Sequence, residues 1–278
     1  MKLTRRILGI AMAAAAATSL AWPAAAQDTT QSLSSESVIE AIKERGTIRI
    51  GLSLFTPWSM RDLNGELVGF ELDVGRKLAE DMGVEVEFVP TAWDGIIPAL
   101  VSGNFDVIIS GMSITPQRNL TVNFSDPYAY SGMTILANKA MTDGFSLEDY
   151  NSPDVTFSAR RGATPAQVIA GMFPEATLLL FDEDGAATQE VLNGNAHATM
   201  ASEPSPSTEA RRYAETLYIP FDQTFQANGE AFALRKGDPD ALNFFNNWIQ
   251  QNWSKGFLKE RNDYWFKGDD WADQVTQN

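Results

Sequence analysis

The loop SGMSITPQR, Ser110 to Arg118, sets a single guanidinium just beyond a proline in a run of small residues. Thr115 before Pro116 has the form of a helix N-cap with proline at the first helical position, so free backbone N–H groups are expected beside Arg118. A guanidinium fork there suits a carboxylate, which can accept two parallel charge-assisted hydrogen bonds. Gly111 allows close backbone approach and Ser113 adds a hydroxyl. From spacing alone, an ion pair between Arg118 and a surface acid such as Asp126 is equally open. The loop RRGATP (160 to 165) repeats the pattern: Gly162, Ala163 and Thr164 before Pro165 offer N–H and hydroxyl donors. In SEPSP (202 to 206), Glu203 can face a ligand ammonium, or pair with Arg161 and neutralise it. Phe55, Trp58 and Trp93 stand on loops where rings can sandwich an apolar or cationic stem, with core packing as the competing role. Trp93, directly after a strand and before Asp94, is the best placed of the three.

Catalytic chemistry is thinly supplied. There is no cysteine, and the one histidine, His197, falls mid-strand in AHATM, where a satisfied core role is expected. No Ser-His-Asp or Cys-His arrangement is readily built. The acidic stretch DEDG (182 to 185) lacks the alternate spacing of a calcium loop and reads as a solvated turn. There is no GxxxxGK[ST] phosphate loop. Neither a metal nor a cofactor is expected.

These loops need positioning elements. TIRIGLS (47 to 53), VEVEFVP (84 to 90) and FDVIIS (105 to 110) read as strands, with GFELDVGRKLAEDMG (69 to 83) and WDGIIPALVSG (93 to 103) as the helices between them. The alternation recurs with DVTFSA (154 to 159), TPAQVIAGMF (164 to 173), ATLLLFD (176 to 182), AATQEVLNG (186 to 194), HATMAS (197 to 202), a polar helix near 207 to 214 and the strand TLYIP. Two such units predict an α/β protein of two lobes, each a mostly parallel sheet flanked by helices. Lobe one is placed at 38–133 and 232–278, and lobe two at 134–231. Extended crossovers near 131–139 and 226–237 make a hinge. Ligands of open parallel sheets sit beyond the carboxyl ends of the strands, where the loops above fall. The tail, with Trp248, Trp253, Trp265 and Trp271, is expected to dock its aromatics on lobe one.

The first 26 residues read as a cleaved export signal: Lys2, Arg5 and Arg6, an apolar run from Ile7 to Leu20, and Ala24 to Ala26 before Gln27. The apolar run is shorter than the ~20 residues a membrane-spanning helix needs. Residues 27–37, QDTTQSLSSES, suit a disordered leader. The 278 residues, 44% apolar and 21% charged, suffice for two modest domains. Net charge is −15, and removing the three basic signal residues makes it −18. Such a chain repels phosphate backbones and anionic lipid, which disfavours nucleic acid and membrane partners. An exported chain without cysteine fits a Gram-negative periplasm.

Taken together, GFELDVGRKLAEDMG, WDGIIPALVSGNFDVIISGMSITPQR and NFSDPY resemble the family 3 extracellular solute-binding proteins, the polar amino acid receptors of ABC importers. The resemblance runs in order over essentially the whole mature chain. It implies a type II periplasmic-binding-protein fold, a monomer whose lobes close on an amino acid and then dock on a membrane permease. It also implies that Arg118 holds the ligand α-carboxylate, helped by Ser113, Gly111 and Thr164, with Phe55 and Trp93 on the ligand's aliphatic part. Two positions depart from the pattern. Family members usually carry aspartate at the place of Ser202 to bind the α-ammonium, and here the acid comes one residue later, at Glu203. Leu52 stands where cation-binding members keep an acid, which favours a neutral or acidic amino acid. A different outcome is an enzyme similar to the cyclohexadienyl dehydratases, which place a glutamate two residues after the lobe-two threonine; Ala166 occupies that position. A receptor serving only a chemoreceptor or kinase is a third.

Overall fold

The computed structural model describes residues 37–275; the export signal and nearly all of the leader expected from the sequence lie outside them. Ser37 accepts the Ile39 N–H and so caps helix α1 (Val38–Arg45). Strand β1 (Thr47–Leu52) follows, then a hairpin of β2 (Met60–Arg61) and β3 (Leu67–Val68), helix α2 (Phe70–Met82) and β4 (Glu85–Pro90). A 3₁₀ turn at Trp93–Gly95 leads into α3 (Ile96–Val101), β5 (Val107–Ile108) and the single turn α4 (Pro116–Asn119). The long strand β6 (Asn123–Asn138) and the turn α5 (Lys139–Thr142) carry the chain into β7 (Thr156–Arg160), α6 (Thr164–Met172), β8 (Thr177–Phe181), α7 (Asp184–Leu192), β9 (Ala198–Ser202), α8 (Ser205–Arg212) and β10 (Leu217–Tyr218). Strand β11 (Phe225–Leu234) returns it to α9 (Pro239–Ser254) and α10 (Phe257–Asn262).

The strands form one nine-stranded sheet in the order β4-β1-β5-β11-β6-β9-β7-β8, with β10 beside β6. β1 pairs in parallel with β4 and β5, and β7 with β8 and β9, as strand-helix-strand alternation requires. The crossovers expected near 131–139 and 226–237 belong to β6 and β11, which pair antiparallel with each other and extend the sheet through the middle of the molecule. The reason is that two neighbouring extended chains leave their N–H and C=O groups unpaired unless they join a ladder. Three register shifts interrupt that ladder, and Gln226 has a positive φ of 44°.

Buried apolar side chains fall into separate clusters. One gathers Ile48, Ile50, Phe70 and Val74 with Phe232, Phe245, Trp248, Trp265 and Trp271. Another gathers Met133, Tyr150, Phe157, Ile169 and Met200. The aromatic tail packs as expected: the indoles of Trp248 and Trp265 donate to Asp81 at 2.9 Å and Asp73 at 2.7 Å on α2, and Trp271 donates to the Trp265 carbonyl at 3.0 Å. Trp253 is partly buried against the same cluster. His197 differs from its expected place. It sits half-buried in the lead-in to β9, where its Nδ1 accepts the Thr156 N–H at 3.1 Å. Among the described residues no helix is long and apolar enough to cross a membrane, and no group of three or more His, Cys, Asp or Glu could hold a metal ion.

Candidate functional site

The loop at Arg118 folds as its residue types dictate. Thr115 caps α4, its hydroxyl accepting the Arg118 N–H at 3.2 Å, with Pro116 at the first helical position. This turns the half-buried Arg118 side chain back across the loop. Nη1 donates to the Ser113 carbonyl at 3.0 Å, and Nη2 to the Gly162 carbonyl on the loop after β7 at 3.3 Å. The guanidinium lies 5.2 Å from the Trp93 ring centroid. Asp126 is not among its partners, which are these two carbonyls.

Gly111 holds a φ of 54°, and a Cβ there would meet the Phe55 ring at 2.9 Å, so glycine serves both the backbone and the ring beside it. Its N–H donates to the Tyr128 hydroxyl at 2.9 Å, which in turn donates to Glu71 at 2.7 Å. Glu71 is wholly buried, with one carboxyl oxygen unpartnered, and burial pushes its pKa up to about 8. Glu230 on β11 bridges to Ser113, accepts the Ser131 hydroxyl at 2.6 Å, and is pushed up to about 7 by burial.

Across the gap, α6 starts one residue earlier than the threonine-proline pair suggests: Ala163 is the N-cap, so Thr164 and Pro165 are the first helical residues. Thr164 is buried beside Arg118, Ser113, Trp93 and Ser202 around a cavity of about 30 Å³. Phe55 also lines a larger neighbouring cavity of about 430 Å³, between the β1–β2 loop and helices α7 and α8.

Three expected site residues stand elsewhere. Trp58 is fully buried, stacked on Phe55 at 5.5 Å and packed on Phe266 at 4.5 Å, because its loop folds inward onto α2. It supports Phe55 from beneath and does not line the small cavity. Arg161 lies beyond the end of β7, half exposed, and pairs with Asp182 at 3.0 Å rather than with Glu203. Ser202, the last residue of β9, lines the small cavity, and Glu203, the first residue beyond the strand, does not.

Two charged residues enter that the sequence reading passed over. Arg160, the last residue of β7, is buried, with its guanidinium 4.4 Å from the Trp93 centroid and 5.1 Å from that of Phe55. The period-two pattern of TFSAR carries its signal: Phe157 and Ala159 enter the core, so Arg160 shares the other face with Ser158. Asp184 opens α7 and lines both cavities. The DEDG stretch is therefore not wholly a solvated turn. Burial raises the Asp184 pKa, opposed by Arg160, and burial followed by Arg160 lowers Arg118 to about 10.

An anion can be held here by two guanidiniums and hydroxyl donors under aromatic walls. Residues 48–268 match the bacterial extracellular solute-binding proteins, family 3. The chain belongs to that family. This family 3 protein is 27% identical over 240 residues to the L-cystine-binding protein TcyJ of Escherichia coli strain K12, covering 86% of this chain and 90% of the relative. It is 26% identical over 234 residues to the cyclohexadienyl dehydratase of Pseudomonas aeruginosa, covering 84% and 87% of the two chains. The crystal structure of the ancestral amino acid-binding protein AncCDT-1, a precursor of cyclohexadienyl dehydratase, matches with a TM-score of 0.76 at 40% identity, over 83% of this chain and 99% of that one. Its fold is thus the two-lobed type II fold of periplasmic binding proteins.

Proposed function

We propose that the protein is a periplasmic receptor of an ABC importer that closes its two lobes, 38–133 with 232–278 and 134–231, over a neutral or acidic amino acid. It then presents that amino acid to a membrane permease. One observation carries the reading: the Arg118 guanidinium bridges the two sides of the cleft, hydrogen-bonded to carbonyls at Ser113 and Gly162, and has no carboxylate partner among the described residues. An α-carboxylate is the group such a fork takes bidentately. Ser113 and Thr164 supply further donors, Trp93 and Phe55 the walls, and Asp184 the carboxylate nearest to hand for an ammonium in place of the aspartate that Ser202 replaces. The ligand favours closure only to the extent that it binds the closed state more tightly.

The test is calorimetric titration of the refolded, ligand-stripped mature protein with a panel of L-amino acids, repeated on Arg118→Ala. Loss of the guanidinium costs on the order of 2 to 5 kcal/mol, roughly a thirtyfold to several-thousandfold weaker Kd. An alanine variant that binds as tightly as the parent removes Arg118 from the site.

The dehydratase relative supports a second reading, conversion of prephenate. Ala166, in the buried first turn of α6, offers no proton donor where those enzymes place a glutamate. Phenylpyruvate formation from prephenate by the purified protein would revive it.

A further inference from the structure

The small cavity is lined by three ionisable side chains, Arg118, Arg160 and Asp184. Both guanidiniums lie on the Trp93 ring, at 5.2 and 4.4 Å, so their centres are no further apart than those two distances laid end to end. Neither is paired with a carboxylate among the described residues. Arg160 reaches no nearer polar partner than the Ser53 hydroxyl at 3.5 Å, and its Nε is buried without one. Two desolvated like charges side by side repel, and burial first, then Arg160, lowers the Arg118 pKa. One α-carboxylate satisfies one fork and leaves the other uncompensated.

The position of Arg160 matters as much as its charge. Its guanidinium occupies the slot between Phe55 and Trp93, the two rings that would otherwise receive the stem or cationic end of a ligand side chain. With that slot filled, only about 30 Å³ remains beside Arg118, while the adjoining cavity of about 430 Å³, past Phe55 and Asp184, stays open to the rest of a ligand. Two cations and one acid around the cavity complement a molecule with two carboxylates and one ammonium.

We propose that Arg160 determines specificity in the cleft: it plugs the aromatic slot against cationic side chains and, together with Arg118, selects amino acids that carry a second carboxylate. The inference rests on the receptor reading above and names its ligand class. The second carboxylate can belong to the side chain, as in L-glutamate, or to an N-carboxyalkyl substituent on the α-nitrogen, for which the larger cavity provides the room.

The experiment is titration of the refolded mature protein with L-glutamate, L-glutamine, L-lysine and N-(1-carboxyethyl)-L-alanine, repeated on Arg160→Met and Arg160→Lys. The wild-type protein should bind a dicarboxylate at least about tenfold more tightly than glutamine, because a site built for a second charge leaves it unpaired with the amide. Glutamate and the N-carboxyalkyl compound separate the two sources. Arg160→Met should abolish that ratio and gain affinity for lysine, and Arg160→Lys should keep a reduced ratio. The inference is overturned if wild-type protein binds glutamine or lysine as tightly as both dicarboxylates, or if Arg160→Met leaves the ratio unchanged. Arg118-dependent binding of a monocarboxylate amino acid without dicarboxylate preference removes this inference alone. No binding of any amino acid removes the receptor reading with it.

Discussion

Trp58 and Trp93 are separated by one strand-helix-strand unit and have opposite roles. Trp93 borders the cavity, whereas Trp58 is enclosed by Phe55, Phe70 and Phe266. Truncating Trp58 to alanine should cost about 3–5 kcal/mol of stability, read as a fall in denaturation midpoint, because the cavity left behind cannot collapse fully. Glu71 carries a different expectation. Its pKa of about 8 lies above the ordinary value of 4.5, so the native state holds a proton that the unfolded chain has released between those limits. Its contribution to stability is therefore complete below about pH 4.5 and is lost as pH rises through about 8; Glu230, at about 7, acts in the same sense. Melting temperature should fall from mildly acidic to mildly alkaline pH, and Glu71→Gln should flatten the fall; an equally steep slope in the variant would assign it elsewhere. At this scale, turn chemistry made the Arg118 loop legible, since a threonine before a proline sets a cap without help from distant residues. Arg160, Asp184 and Glu71 were hidden because burial of a charge is decided by neighbours far along the chain.

Among the elements, α2 shows how local sequence and packing combine. Phe70, Glu71, Leu72 and Val74 are all fully buried at its start, which begins after Gly69 at a φ of 135°. A Cβ on Gly69 would fall 2.4 Å from the Trp58 carbonyl oxygen, so Gly69→Ala should destabilise by well over ~1 kcal/mol, from backbone strain and that clash together. Denaturant unfolding of the variant checks it; a midpoint like that of the parent would show that the loop can move aside. Strand and helix order was legible from hydrophobic periodicity, but β6 was not, because Asp126, Pro127 and the polar residues of NFSDPY break the alternation of a strand that nevertheless runs 16 residues. Its pairing with β11 supplies what the local pattern lacks, and no local pattern encodes a partner a hundred residues away.

For the molecule as a whole, contacts across the cleft include the Arg118 bond to Gly162, Arg160 on Trp93 and Phe55, and an ion pair between Arg211 and Asp269 at 2.9 Å. A ligand present at a thousand times its Kd should add about 4 kcal/mol to stability and raise the melting temperature by several degrees. Trp93 borders the small cavity, and the other five described tryptophans, Trp58, Trp248, Trp253, Trp265 and Trp271, pack in the core around β1 and α2, so Trp93→Phe should remove most of any ligand-induced change in indole fluorescence; an undiminished change would place the ligand away from this ring. Two lobes were legible from the repeat of one alternating pattern. Their joining into one continuous sheet was not, since it depends on β6 and β11 meeting.

That joining also sets an order of assembly. Ser37 and the Val38 N–H bind the Asp238 side chain, about two hundred residues onward, and Phe245, Trp248, Trp265 and Trp271 complete the core around β1 and α2. The segment around β7, β8 and β9 has its packing partners close in sequence. A chain emerging N-terminus first thus leaves its opening strands without their aromatic cover until α9 and α10 follow, while the middle segment can close earlier, since short loops cost less entropy to form. Pulse-labelled hydrogen exchange during refolding should find amides of β7 to β9 protected ahead of those of β1 and β4, and a chain cut before Pro239 should keep the former ordered while its front half stays prone to aggregate.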